Sequence, residues 1–291
     1  MKEAGNTTSS HVRKSVLQSS IITFVSLGIF LALAFLMQLV LKPVFTQNSL
    51  VWVGVVMSII PSLLWLFFFY RQDKREPEPK EMVIEVFILG GLLAAAVGIP
   101  LVNDVFKVSS WIDDSLAINL VGAILIIGFT QEFLKFAAVR FSIYQSSEFD
   151  ERTDGIIYAT AAGLGYAAVL NIHFIIDSGG ASIGVAAIRL VLTSLAQASF
   201  AGITGYFLGR EKMDKQPFWC LPLGLFIAAT LNGLFYTLWG NLSTATIQGS
   251  EALVNPWLGL GLAILLSIII MVILSLLIRR DQLRSSSAPE V

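Results

Sequence analysis

Residues 116–139 read LAINLVGAILIIGFTQEFLKFAAV, an apolar stretch interrupted in its second half by Gln131, Glu132 and Lys135. A helix of about 20 predominantly apolar residues can cross the hydrocarbon core of a bilayer. Because the hydrocarbon offers no water to backbone groups, the stretch is predicted to be a transmembrane helix. Polar side chains at such depth are costly and typically face a bundle interior, so these residues indicate a site.

Seven further stretches have the same apolar character, at 20–41, 50–70, 82–102, 155–176, 183–208, 218–239 and 256–278. The chain is 55% hydrophobic and only 13% charged, with a mean hydropathy of +0.77. This composition is typical of a membrane protein and excludes a soluble globular domain. The fold class is therefore predicted to be an all-α, polytopic bundle of about eight transmembrane helices in the cell membrane.

Basic residues predict the orientation of this bundle. If both termini are cytosolic, the cytosolic segments contain fifteen of the 19 Lys and Arg residues, whereas the outer loops contain only Lys42 and Lys107. The positive-inside rule favours this arrangement. Five regions follow: a cytosolic tail at 1–19, two helices at 20–70, a membrane core at 71–240, a last loop and helix at 241–278, and a second tail at 279–291.

Composition also limits the classes of binding partner that are expected. The net charge is −1 and no basic stripe is present, so no nucleic-acid partner is expected. The lone Cys220 excludes an intrachain disulfide. The partners expected are the lipid bilayer and a membrane protein or transmembrane peptide.

Four neutral amides lie deep in the predicted helices, and they accompany the only deeply placed carboxylate, that of Glu132. Counted from the cytosolic ends, the depths range from about 12 Å for Glu132 to about 24 Å for Asn171. One polar layer built by the fourth to seventh spans is therefore possible. Glu132 and Lys135 are three residues apart, share a helix face and are predicted to form a structural ion pair. The amides are Gln131, Asn171, Gln197 and Asn232.

Several short motifs occur in a characteristic order. They are DKREPEPK at 73–80, QEFLK at 131–135, EFD at 148–150, DGIIYATAAGLG at 154–165 and GYFLG at 205–209. With these motifs, about residues 70–240 resemble the PrsW family of bacterial intramembrane proteases. That family is similar in turn to the prenyl-protein (CAAX) endopeptidases and to the Aph-1 subunit of γ-secretase.

The resemblance implies a hydrolytic site that this chain has largely lost. Family members are regarded as metalloproteases and carry two adjacent glutamates followed by xxK, a Glu-Asn pair on the next helix, and one histidine on each of the two helices after that. Here Glu132 and Lys135 match the pattern. The first glutamate is Gln131, the Glu-Asn pair is Leu170-Asn171, and the histidine positions are Gln197 and Asn232.

These substitutions argue against metal chemistry. Catalytic zinc sites use three ligands from His, Asp, Glu or Cys, and amide oxygens are weak substitutes. Gln131 and Leu170 do not titrate, so neither can act as a general base. No metal and no other cofactor are therefore expected, and Glu132 is the one candidate catalytic residue.

Three functions remain open. The chain is a catalytically degenerate PrsW-like protein that binds transmembrane or membrane-proximal peptides, or an active intramembrane protease that uses Glu132, with zinc as its cofactor. The third alternative is a small transporter or channel, although no broken helix indicates an ion path. Outside the amide layer, His173 is expected to point away from Asn171 and Arg189 to extend to the outer surface.

Overall fold

The computed structural model describes residues 22, 24–40, 46–70, 78–179, 183–214, 216–244, 261, 264–270 and 272. These residues contain helices and turns but no strand. The helices are α1 (Phe24–Val40), α2 (Gln47–Tyr70), α3 (Lys80–Ser110), α4 (Leu116–Ser142), α5 (Arg152–Asp177), α6 (Ile183–Asp214) and α7 (Cys220–Thr244).

Six of these helices, α2 to α7, are long and apolar enough to cross a membrane. The shorter α1 lies within the first predicted span, and residues 264–270 are helical within the last one. The prediction of an all-α polytopic membrane protein is confirmed. The two tails and most of the loop at 71–81 lie outside the described residues, and the cytosolic placement of the termini stays a prediction.

Helices α5 and α6 form the centre of the bundle and approach each other along small residues. A Cβ atom on Gly155 would overlap the carbonyl oxygen of Gly205 and lie 2.7 Å from the backbone nitrogen of Gly209. Further along, a Cβ on Gly163 would lie 2.7 Å from the carbonyl oxygen of Gln197. Small residues let helix backbones approach closely. These close contacts form a glycine seam, which holds the backbone of α6 at Gln197 against α5.

The seam predicts a sharp difference between two glycine variants. We expect Gly155→Ala to lower the free energy of unfolding by about 1–3 kcal/mol, because the new methyl group meets backbone that can move only if the helices separate. The control is Gly28→Ala in α1, where nothing lies within 4 Å of the added Cβ. Thermal unfolding of the two variants in detergent is the measurement. Equal melting temperatures would contradict the close backbone contact.

Helices α3 and α4 contain π-helical turns that the sequence analysis did not predict. They lie at Ala94–Gly98 and Leu101–Val105 in α3 and at Ala123–Gly128 in α4. The turn in α4 packs on α7, where a Cβ on Gly128 would overlap the carbonyl oxygen of Ala229. Such turns occur frequently at functional sites. This one ends three residues before Gln131 on the same helix.

Polar contacts fix the end of the bundle where α4 leads into α5 and where α6 ends. Arg152 and Asp214 form an ion pair of 2.5 Å, and the Nζ of Lys212 donates to the carbonyl oxygen of Ser146 at 3.0 Å. The Tyr144 hydroxyl donates to the Glu211 carboxylate. Burial, together with this carboxylate, raises the pKa of Tyr144 to about 12, so the phenol remains a donor at physiological pH.

Candidate functional site

The centre of the site is a buried ion pair on α4. The Nζ of Lys135 lies 2.5 Å from the Oε1 of Glu132, and the side chains are 1% and 0% exposed. Their spacing of three residues places both on one face of the helix. Two opposite charges at this depth compensate each other, whereas either alone would be an uncompensated buried charge.

Three amides from α4, α6 and α7 surround this pair. Gln197 accepts a hydrogen bond from the Nζ of Lys135 at 2.7 Å and donates to the Oε1 of Gln131 at 2.7 Å. Asn232 donates to the Oε1 of Glu132 at 2.7 Å and to the Oε1 of Gln131 at 3.1 Å. The structure therefore brings five of the sequence-identified residues into one connected polar network.

Asn171 belongs to a separate network. Its Nδ2 donates to the carbonyl oxygen of Leu190 at 3.1 Å and to the hydroxyl of Ser194 at 3.4 Å. Ser194 in turn lies 3.0 Å from the hydroxyl of Ser62. These bonds connect α5, α6 and α2, and they give Asn171 a role in holding helices together. The four amides that helix depth allowed in one polar layer therefore belong to two adjacent hydrogen-bonded groups.

A cavity of about 380 Å³ runs beside both groups. Its wall includes Gln131, Gln197, Asn232 and Asn171. Glu132 does not line it. The one carboxylate of the site is enclosed behind the amides, and the surface offered to a bound molecule is neutral at this point.

Two residues outside the amide layer line the other end of this cavity. His173 lines the cavity together with Asn171 although the two are separated around α5, because the cavity extends along the C-terminal turns of that helix. Arg189 also lines the cavity, with its guanidinium carbon 3.6 Å from the ring centroid of Phe174. Leu170 lies in the wall as well.

Other lining residues were not identified from the sequence. Asn103 lies in the second π-helical turn of α3, Tyr166 lies on α5, and Tyr236 lies one turn beyond Asn232 on α7. Nothing in the motif pattern marked Asn103 or Tyr166. The position of Tyr236, four residues after Asn232, was a usable signal, because such residues share a helix face.

The donor groups do not fit a catalytic metal. Among the described residues, no three side chains of His, Cys, Asp or Glu are placed to hold one ion. Around Glu132 the neighbours are an ammonium group and amides, and its Oε1 already accepts from Lys135 and Asn232. Catalytic zinc needs three strong ligands and an open water position. This set of groups supplies one carboxylate and a competing cation.

Comparisons with known proteins agree on one family. The family model described as PrsW family intramembrane metalloprotease matches residues 78–278. Protease PrsW of Oceanobacillus iheyensis is 33% identical over 206 residues, which cover 69% of this chain and 89% of that protein. Protease PrsW of Bacillus subtilis is 30% identical over 180 residues, which cover 61% and 78%. No solved structure matches the chain.

The match extends beyond the resemblance noted at about residues 70–240, since it includes the last predicted span. The division of the chain at residue 240 stays a prediction. The relatives named above are proteases by name, and this does not favour a transporter or channel.

Proposed function

Because the chain belongs to the PrsW family of intramembrane metalloproteases, we propose that it is a catalytically degenerate member that binds transmembrane or membrane-proximal peptides without cleaving them. The single observation that carries this proposal is the enclosure of Glu132. Its Oε1 accepts from Lys135 and Asn232, its side chain is 0% exposed, and it does not line the cavity.

A general base must come within hydrogen-bond reach of the water or group whose proton it takes. Glu132 lies behind Gln131 and Asn232, so a water in the cavity would meet amides first. Gln131, Gln197 and Asn232 cannot take up a proton at neutral pH. They can donate and accept hydrogen bonds, which suits the recognition of peptide groups.

The cavity is of the size and character used for binding. Its volume of about 380 Å³ falls within the usual range for ligand pockets. It combines apolar wall residues such as Leu192 and Phe235 with a few amides and charged groups. An apolar peptide whose backbone is locally unwound could satisfy its free polar groups on those amides.

One observation favours the alternative of an active protease. The Oε2 of Glu132 is buried and has no hydrogen-bond partner among the described residues. Activity through Glu132 would require a rearrangement that exposes this oxygen to the cavity.

We expect the purified full-length protein to contain much less than one zinc per chain and to bind an apolar transmembrane peptide that is then recovered intact. Elemental analysis measures the metal, and peptide anisotropy followed by mass spectrometry measures binding and cleavage. Glu132→Gln is the matched variant, since it keeps the side-chain shape. A single zinc lost in this variant, or cleavage abolished by it, would overturn the proposal and favour the active protease.

A further inference from the structure

Arg189 is a cation without an ionic partner in the wall of the cavity. Among the described residues it has no hydrogen bond or ion pair. Its one cation–π contact is with the ring of Phe174, whose centroid lies 3.6 Å from the guanidinium carbon. It is six residues inside the start of α6 and only partly exposed. A cation at such a position in a membrane helix is costly, so it is normally retained for a function.

The ring of Phe174 contacts the guanidinium of Arg189, and among the described residues no acceptor bonds to its N–H groups. Stacking on an aromatic face fixes the plane of the group and covers one side of it. The five N–H donors lie in that plane, and their fork matches the two oxygens of a carboxylate. A carboxylate bound there would form charge-assisted hydrogen bonds, the stronger kind.

Neighbouring charges do not neutralise Arg189. Asp177, the last residue of α5, lines the same end of the cavity, but its side chain is exposed and forms no ion pair with Arg189. His173 and Tyr236 are the other titratable groups in this part of the wall. Among the described residues, Arg189 is therefore the one lysine or arginine in this part of the cavity wall, and its charge is not engaged in an ion pair.

We propose that Arg189 is the anchor for a carboxylate carried by the bound peptide, so that the cavity selects acidic peptides over neutral ones. This inference rests on the proposed peptide binding and adds the chemical class of the peptide. The amides of Gln131, Gln197 and Asn232 then contact the peptide further inside the cavity. A peptide fits this lining better than a lipid does, because peptide groups can form further hydrogen bonds with the amides whereas acyl chains cannot.

The test uses the full chain in nanodiscs of phosphatidylcholine and three labelled Leu–Ala peptides of about 20 apolar residues. One is neutral and amidated, one carries a Glu near its end, and one is neutral with a free C-terminal carboxylate. We expect at least one of the two acidic peptides to bind about tenfold or more tightly than the neutral peptide, and the preferred one identifies the source of the carboxylate.

Arg189→Gln should remove this preference while neutral-peptide binding persists, and Arg189→Lys should keep part of it because the charge remains. Arg210→Gln is the matched control, since Arg210 lies on the same helix near its other end and pairs with Asp214 at 3.3 Å. If Arg189→Gln fails to fold, the Arg189→Lys variant decides: an unchanged full preference would contradict recognition by a planar fork.

Equal binding of all three peptides would overturn the inference while leaving the proposed function intact. Binding of none of them would overturn both. A further measurement adds phosphatidylglycerol, an anionic lipid, to the nanodiscs and records the melting temperature. An Arg189-dependent rise in melting temperature with this lipid, without any preference among the peptides, would assign the anion site to a lipid headgroup. It would contradict recognition of a peptide carboxylate by Arg189.

Discussion

Lys135→Met is expected to destabilise the protein by about 3–5 kcal/mol, because it leaves the Glu132 carboxylate in the bundle without its cation. Glu132 would keep the hydrogen bond from Asn232, but one neutral donor does not compensate a charge at 0% exposure. Chemical or thermal unfolding in detergent measures the loss.

The double variant Glu132→Gln with Lys135→Met separates charge from packing. It removes both charges and keeps an amide oxygen for Asn232 to donate to, so we expect it to recover most of the lost stability. Arg140→Met is a second control, because Arg140 is 30% exposed in its 3.7 Å pair with Glu211. Such pairs contribute about 1 kcal/mol or less. Equal losses for the single and double variants would mean that the buried pair does not matter.

Restoring the family's groups should create metal binding. The variant with Gln131→Glu, Leu170→Glu, Gln197→His and Asn232→His places two carboxylates and two imidazoles in the wall of one cavity, since all four positions line it. The side-chain nitrogens of Gln197 and Asn232 already lie 2.7 and 3.1 Å from the Oε1 of Gln131. Two histidines and carboxylates are a suitable zinc set.

We expect this variant to bind about one zinc per chain, against almost none for the parent protein. Metal binding is the appropriate measurement, because rebuilt sites are often about 1 Å too loose for turnover. The control exchanges only Gln131 and Leu170, which leaves the site without imidazoles. Absence of zinc from the four-residue variant, despite normal folding, would show that the cavity walls do not approach closely enough.

Much of the fold follows from the sequence, because each span must satisfy its own backbone hydrogen bonds in hydrocarbon. The small residues of α5 suit close helix contact, and the structure shows that contact with α6 at Gly155 and Gly163. The π-helical turns at Ala94–Gly98 and Ala123–Gly128 were not predictable from apolar patterning. They depend on tertiary packing, since the residues they contain suit an ordinary α-helix equally well.

The candidate site was predictable in its membership but only partly in its arrangement. The ion pair of Glu132 with Lys135 follows from spacing along one helix. The link from Lys135 to Gln197 joins different helices, and depth alone cannot set the rotation of each helix. For the same reason the depths did not show that Asn171 bonds to a separate group, or that His173 and Arg189 line the same cavity.

The glycine seam between α5 and α6 makes that side of the bundle more rigid than the side opposite to it. Where the backbones of Gly155 and Gly205 touch, rotation or sliding of either helix would cause a steric clash. This contact therefore holds the two helices in fixed relative positions. The facing wall is made by α3, α4 and α7, and two of those helices contain π-helical turns, where the regular ladder of backbone bonds is already interrupted. We expect the opening for a bound peptide to form on that side, while the contact of α5 with α6 keeps His173 on α5 and Arg189 on α6 at a constant spacing.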